Sequence, residues 1–156
     1  MKSRTAIKSA ILVPIALVAI GSVPATAAGA LQIEVANVRA RTGTVHVDIC
    51  TQAQFLKDCP RSADAPAKIG VTTVIVPDLP PGKYAAQVFY DENNNHKIDR
   101  ALFGVPKEGV GFSNDAKIRL SPPKWEEAEF AYDGQPRSIR LRLRYFIGPD
   151  APVLPK

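Results

Sequence analysis

The chain has 156 residues, with 20 Lys and Arg against 15 Asp and Glu and 46% hydrophobic residues. That composition excludes a strongly charged disordered chain, and most of the positive excess is local: without Lys2, Arg4 and Lys8, 17 basic residues face 15 acidic ones. A mildly positive remainder has no general reason to seek nucleic acid, and its length suits one domain with one hydrophobic core.

Lys2, Arg4 and Lys8 precede an apolar run over residues 10–20, which gives way to Ala25-Thr26-Ala27-Ala28. This is the three-part layout of a secretory signal peptide over residues 1–27, with cleavage expected after Ala27 or a residue or so later. The run contains Pro14 and is shorter than the roughly 20 residues of a membrane-spanning helix; a retained anchor is the alternative reading. After cleavage a soluble, periplasmic or secreted monomer without a transmembrane anchor is expected. Residues 28–147 would form the domain, and GPDAPVLPK at residues 148–156, with three prolines, an extended or disordered tail.

From Leu31 the apolar pattern has a period of two in segment after segment. Leu31, Ile33 and Val35 alternate with Gln32 and Glu34, and Val45, Val47 and Ile49 with Thr44, His46 and Asp48. Arg41-Thr42-Gly43 is the turn between these two strands, with Gly43 available for positive φ. Residues 52–67 read as a loop with one helical turn near 53–57. Cys50 and Cys59 are the chain's two cysteines; in an exported protein they are expected to form a disulfide across TQAQFLKD, contributing about 2.5–3 kcal/mol through loop entropy. A metal pair would lack a nearby His or further Cys, and a redox pair would lack the CxxC spacing.

Residues 69–76 form a β-branched strand, followed by the breaker-rich turn Asp78-Leu79-Pro80-Pro81-Gly82. Residues 83–90 are largely apolar on both alternations, which marks a central strand covered on both sides. A short strand is expected at 116–120, another at 127–132, and a last one with Ile139, Leu141, Leu143 and Tyr145 inward and Arg140, Arg142 and Arg144 outward. The sum is an all-β domain, a single antiparallel β-sandwich of about seven strands, immunoglobulin-like or transthyretin-like, with one long ordered loop over residues 91–115.

That loop reads DENNNHKIDRALFGVPKEGVGFSN from Asp91 and has no helical or strand period of its own, which compact domains seldom tolerate without a reason. Together with the preceding PPGKY turn it resembles the hallmark of a bacterial family, domain of unknown function 2141, whose members are similarly short and exported. The resemblance runs from about Leu31 to about Tyr145 and implies an exported β-sandwich, with no established activity to carry over. The family pattern has Gly where this chain has Asn94 and His96, so the departure tightens the backbone of the loop. The LPPGKY turn is also similar to prealbumin-like modules found beside surface proteins.

On an EF-hand-style frame, Asp91, Asn93 and Asn95 take the first, third and fifth positions, Lys97 offers its backbone carbonyl and Asp99 takes the ninth. Calcium wants six to eight oxygens, and Glu108 is a candidate to fold back as the missing carboxylate, because Leu102 stands where a bidentate Glu would close the cage. Few formal charges imply weak binding, on the order of 10⁻⁴–10⁻³ M. The alternative is a solvated turn held by side-chain to backbone bonds. Phe103, Lys107 and Glu108, with the arginine ladder Arg140, Arg142 and Arg144, are candidate contacts for an envelope protein or a glycan. The ladder is otherwise expected to face water or to pair with Glu127 and Glu129. Phe112 and Trp125 read as packing residues, and His46 and Asp48 as one solvated pair on a strand face. No catalytic constellation is apparent, and a non-enzymatic module is expected; the rival is an envelope hydrolase using Asp91, Asp99 and Glu108.

Overall fold

A computed structural model describes residues 29–119 and 121–148. The expected signal peptide at residues 1–27 and the expected tail after Gly148 lie outside them. Eight strands build two sheets: β1 (Leu31–Val38), β2 (Thr44–Cys50), β3 (Arg61–Pro66), β4 (Gly70–Val76), β5 (Gly82–Asp91), β6 (Val110–Phe112), β7 (Phe130–Tyr132) and β8 (Arg137–Arg142). The smaller sheet has the order β4-β1-β8; the larger runs β3-β2-β5-β6, with β7 paired to the start of β5. Neighbours are antiparallel except β1 and β8, which run parallel with Ile33 opposite Ile139. A single bridge between Val110 and Arg144 links the two sheets at one corner.

The core lies where the sequence alternation places it. Leu31, Ile33 and Val35 of β1 meet Val45, Val47 and Ile49 of β2, Val74 and Val76 of β4, and Val88 and Tyr90 of β5 in one buried cluster. A sandwich follows because each sheet has one apolar face that must leave water. Gly43 turns β1 into β2 at φ +83, and a Cβ there would overlap the carbonyl oxygen of Asp91, so this turn also lets the end of β5 approach closely.

Four elements depart from the sequence reading. Residues 61–66, expected in a loop, form β3, because RSADAP pairs along the edge of β2 and needs no buried face; its side chains alternate only between half-buried and exposed, and Pro66 ends it. The three-residue β6 lies inside the expected long loop and pairs with β5 from Gln87 to Phe89. The strand expected at 116–120 does not form over its described residues, and the one expected from 127 begins only at Phe130, after the single helical turn α1 (Trp125–Ala128). That turn forms because the Glu127 side chain accepts the Lys124 N–H at 2.8 Å.

The helical turn near 53–57 is present, with Phe55 N–H donating to Thr51 O at 3.0 Å. Cys50 and Cys59 form the expected disulfide, with Cα atoms 5.2 Å apart. It fixes this turn beside β5, where Leu56 N–H donates to the Gln87 amide oxygen at 2.6 Å. Replacing both cysteines by Ser is expected to lower unfolding free energy by about 2–3 kcal/mol, read from urea denaturation. An unchanged midpoint would show that the turn holds itself.

Candidate functional site

β5 ends at Asp91, and the chain then leaves the sheet. Asp91 is 1% exposed, although it opens a polar loop. Its carboxylate accepts the N–H of Asn95 at 3.1 Å on one oxygen and the N–H of His96 at 2.7 Å on the other. The Asn93 side-chain oxygen also accepts from Asn95 N–H at 3.1 Å, and the Asn95 oxygen accepts from Lys97 N–H at 2.8 Å. A buried anion surrounded by backbone donors winds the segment into successive tight turns. The winding requires left-handed backbone at Asn94 and His96, both with φ 58. These are the two positions where Gly would sit most easily. Asn and His are among the non-Gly residues found there most often, and a Cβ in this region still carries a steric cost of about 1–2 kcal/mol.

Asp99 sits across the loop. Its two oxygens accept from the side-chain amides of Asn93 at 2.9 Å and Asn95 at 3.1 Å. Glu108 does fold back: it is 4% exposed, and its carboxylate accepts Glu92 N–H at 3.1 Å and Asp99 N–H at 3.0 Å. Asp91, Asn93, Asn95, Asp99 and Glu108 are thus brought into one hydrogen-bonded network. Lys97 is exposed and enters it through its N–H. Burial raises the Glu108 carboxyl above the usual range, two backbone N–H bonds oppose that, and the charges of Asp91 and Asp99 raise it further. Among the described residues no three His, Cys, Asp or Glu side chains form a metal-ligand group by themselves, so a cation here would also need the Asn oxygens.

Beyond Asp99 the loop is a small hairpin. Lys107 N–H donates to Asp99 O and Ala101 N–H to Val105 O, both at 2.8 Å. Its tip, Leu102–Gly104, turns through positive φ at Phe103 and Gly104, leaving Leu102 83% and Phe103 100% exposed. Gly109 then passes so close to Tyr145 that a Cβ would overlap its ring, and Tyr90 N–H donates to Gly109 O at 2.8 Å. The hairpin therefore stands on a fixed base.

The other candidates fall elsewhere. Arg140 is exposed and opposite Glu34 in register. Arg142 N–H donates to Asp115 Oδ1 at 2.6 Å and the Arg144 guanidinium to Asp115 O at 3.2 Å. The expected pairing of this ladder with Glu127 and Glu129 does not occur, because β7 pairs with β5 and not with β8; Glu129 instead meets Lys83 at 3.4 Å and the Trp125 indole N–H at 3.1 Å. Trp125 and Phe112 pack edge-on against Phe55, as packing residues.

Sequence reasoning read His46 and Asp48 as a solvated pair and missed Asp64, the third member of this second cluster. His46 Nδ1 lies 2.6 Å from Asp64 Oδ1, and Nε2 lies 3.1 Å from Asp48 Oδ1. Asp64 belongs to β3, the strand read as loop, so the signal that would have found it was the Ala63, Ala65 alternation beside Val45 and Val47. The hydrogen bond to Asp48 raises the imidazole pKa most; burial opposes it, and Asp64 adds to the rise.

Taken together, this is a small β-sandwich with one carboxylate-tied loop rising from its central strand. The chain belongs to the bacterial family described as an uncharacterised protein conserved in bacteria, DUF2141, whose model matches residues 33–140. No curated protein matches the chain. No solved structure matches it either. No helix among the described residues is long and apolar enough to cross a membrane.

Two predictions follow from these clusters. Glu108→Gln leaves one of the two backbone donors facing an NH₂ group, so unfolding free energy is expected to fall by about 1–3 kcal/mol, measured by urea titration. Unaltered stability would mean the carboxylate does not close the loop. For His46 the folded pKa is raised, so its stabilisation is complete below the unfolded value of about 6.5 and disappears as pH climbs through the folded value. An NMR titration should place the His46 midpoint above about 6.5, and Asp48→Asn should lower it. A midpoint indifferent to that substitution would contradict the pairing.

Proposed function

We propose that the protein is an exported, periplasmic or secreted, non-enzymatic binding module whose loop is stabilised by a weakly held calcium ion. The observation that carries the reading is a loop fixed from within by buried Asp91 and Glu108 while its apolar tip, Leu102 and Phe103, is left in solvent. Ordering a loop costs conformational entropy, and exposing a phenylalanine at its tip forgoes burial. Both costs are reasonable when the tip meets a partner, an envelope protein or a glycan.

The donor set suits a hard cation. Asp91, Asp99 and Glu108 bring three carboxylates into one network; burial raises the Glu108 pKa most, and repulsion from Asp91 and Asp99 raises it further. A divalent cation would relieve that repulsion. Asn93 and Asn95 would join as ligands by turning their amides so that oxygens replace the NH₂ groups now donated to Asp99, with Lys97 O as a further donor. The exchange of existing hydrogen bonds for metal contacts keeps the expected affinity weak, on the order of 10⁻⁴–10⁻³ M.

A hydrolase built on the same carboxylates has less support. Both oxygens of Asp91 and of Glu108 already accept backbone N–H groups, and none of the three acids lines the large cleft of the molecule. A subunit of an envelope assembly, contacting its neighbours through Phe103, is the second reading, favoured by the complete exposure of that ring.

Calcium added to chelator-treated protein should raise its melting temperature, magnesium should do so less, and Asp99→Ala should abolish the calcium-specific gain. Asp99 is the informative position because Asp91→Ala removes two backbone acceptors and destabilises the loop with or without metal. Identical melting in calcium and in chelator would contradict the ion.

A further inference from the structure

The outer face of the larger sheet is the floor of a cleft of about 780 Å³. That volume lies within the roughly 300–1,000 Å³ typical of small-molecule sites. Strand register sets out this face in rows, Asp64, His46, Phe89 and Val110 across β3, β2, β5 and β6, then Ser62, Asp48, Gln87 and Phe112; all of these but Asp64 line the cleft. The His46 ring lies 4.8 Å from the Phe89 ring, and its charge is met by Asp48 and Asp64. The floor is therefore apolar towards β6 and polar beside it, where one imidazole faces two carboxylates.

The loop hairpin forms one wall with Phe103, Val105 and Pro106, while Ile118 and Pro122 line the cleft as well. Its charged lining is one-sided. Lys57, Lys97, Arg100 and Arg119 line it, against Asp58 and the His-paired Asp48. None of these four cations makes an ion pair with another described residue. Arg100 spends one guanidinium N–H on Gly104 O at 2.9 Å, which holds it at the hairpin and leaves its other donors available.

We infer that this cleft binds a single-chain anionic amphiphile, its apolar chain lying along Phe89, Val110 and the hairpin wall and its acid group meeting Arg100 and the neighbouring cations. Charge complementarity selects this occupant. An apolar body matches the β6 side of the floor and the walls, a cationic head would meet four like charges, and a neutral head would leave the excess of cations over Asp58 and Asp48 uncompensated. The inference rests on the protein's being a binding module but is independent of the calcium ion.

The test uses protein exported from the full-length chain and three 12-carbon probes, dodecanoate, dodecyltrimethylammonium and dodecyl maltoside, each below its micellar concentration. Titration calorimetry and amide NMR are run in calcium and in chelator. Dodecanoate should bind best, with shifts centred on Phe89, Val105, Val110 and Ile118. Arg100→Glu should weaken it at least tenfold without affecting dodecyl maltoside, and Phe103→Ser should weaken both. Arg119→Glu, outside the loop, repeats the charge test if Arg100→Glu disturbs the hairpin. Equal binding of the cationic probe, shifts away from the cleft, or no dodecanoate binding in either buffer would overturn the proposal. The calcium question is decided separately by the melting experiment.

Discussion

The interaction on which the rest of this molecule depends is the capture of loop backbone N–H groups by two buried carboxylates. Asp91 binds Asn95 and His96, and Glu108 binds Glu92 and Asp99. Each bond is charge-assisted and part-buried, so removing an acceptor costs more than a fully exposed contact would suggest. Four such bonds convert about two dozen residues without a strand or helix period into a fixed projection. The cost is electrostatic: burial raises the Glu108 pKa most, and the neighbouring charges of Asp91 and Asp99 raise it further.

The projection matters because of where the sandwich places it. β5 lies between β2 and β6 in the larger sheet, so a loop rising from its end is rooted in the core through Tyr90 and stands beside the outward face that carries His46 and Phe89. On that face His46 is held between two aspartates. Gly109 against Tyr145, and the bridge of Val110 to Arg144, tie the returning limb to the other sheet. Exposed Phe103 is therefore part of a wall with a rigid foundation.

Much of the sandwich was legible in the sequence, because a period of two with one buried face specifies both strand and register. Leu31, Ile33, Val35, Val45, Val47 and Ile49 all reach the core that their alternation assigns them. Edge and short strands were not legible: β3 has no large apolar side chain, and β6 is three residues long. The parallel docking of β8 on β1 was equally hidden, since alternation does not reveal a partner. In the loop, the acceptor residues and the return of Glu108 could be anticipated from residue type and spacing. Their backbone partners could not, because a carboxylate that binds a metal and one that binds N–H groups look alike in sequence. The cleft escaped notice for a related reason: its floor residues come from four strands, and two of those strands, β3 and β6, were read as loop.

Hydrogen exchange of individual amides tests the account most directly. If the buried carboxylates hold the loop, the amides of Glu92, Asn95, His96 and Asp99 should exchange through opening events nearly as rare as those of β5, although no sheet ladder covers them. Exchange of these four at the rate of an unstructured chain, with β5 still protected, would contradict the claim that Asp91 and Glu108 build the loop.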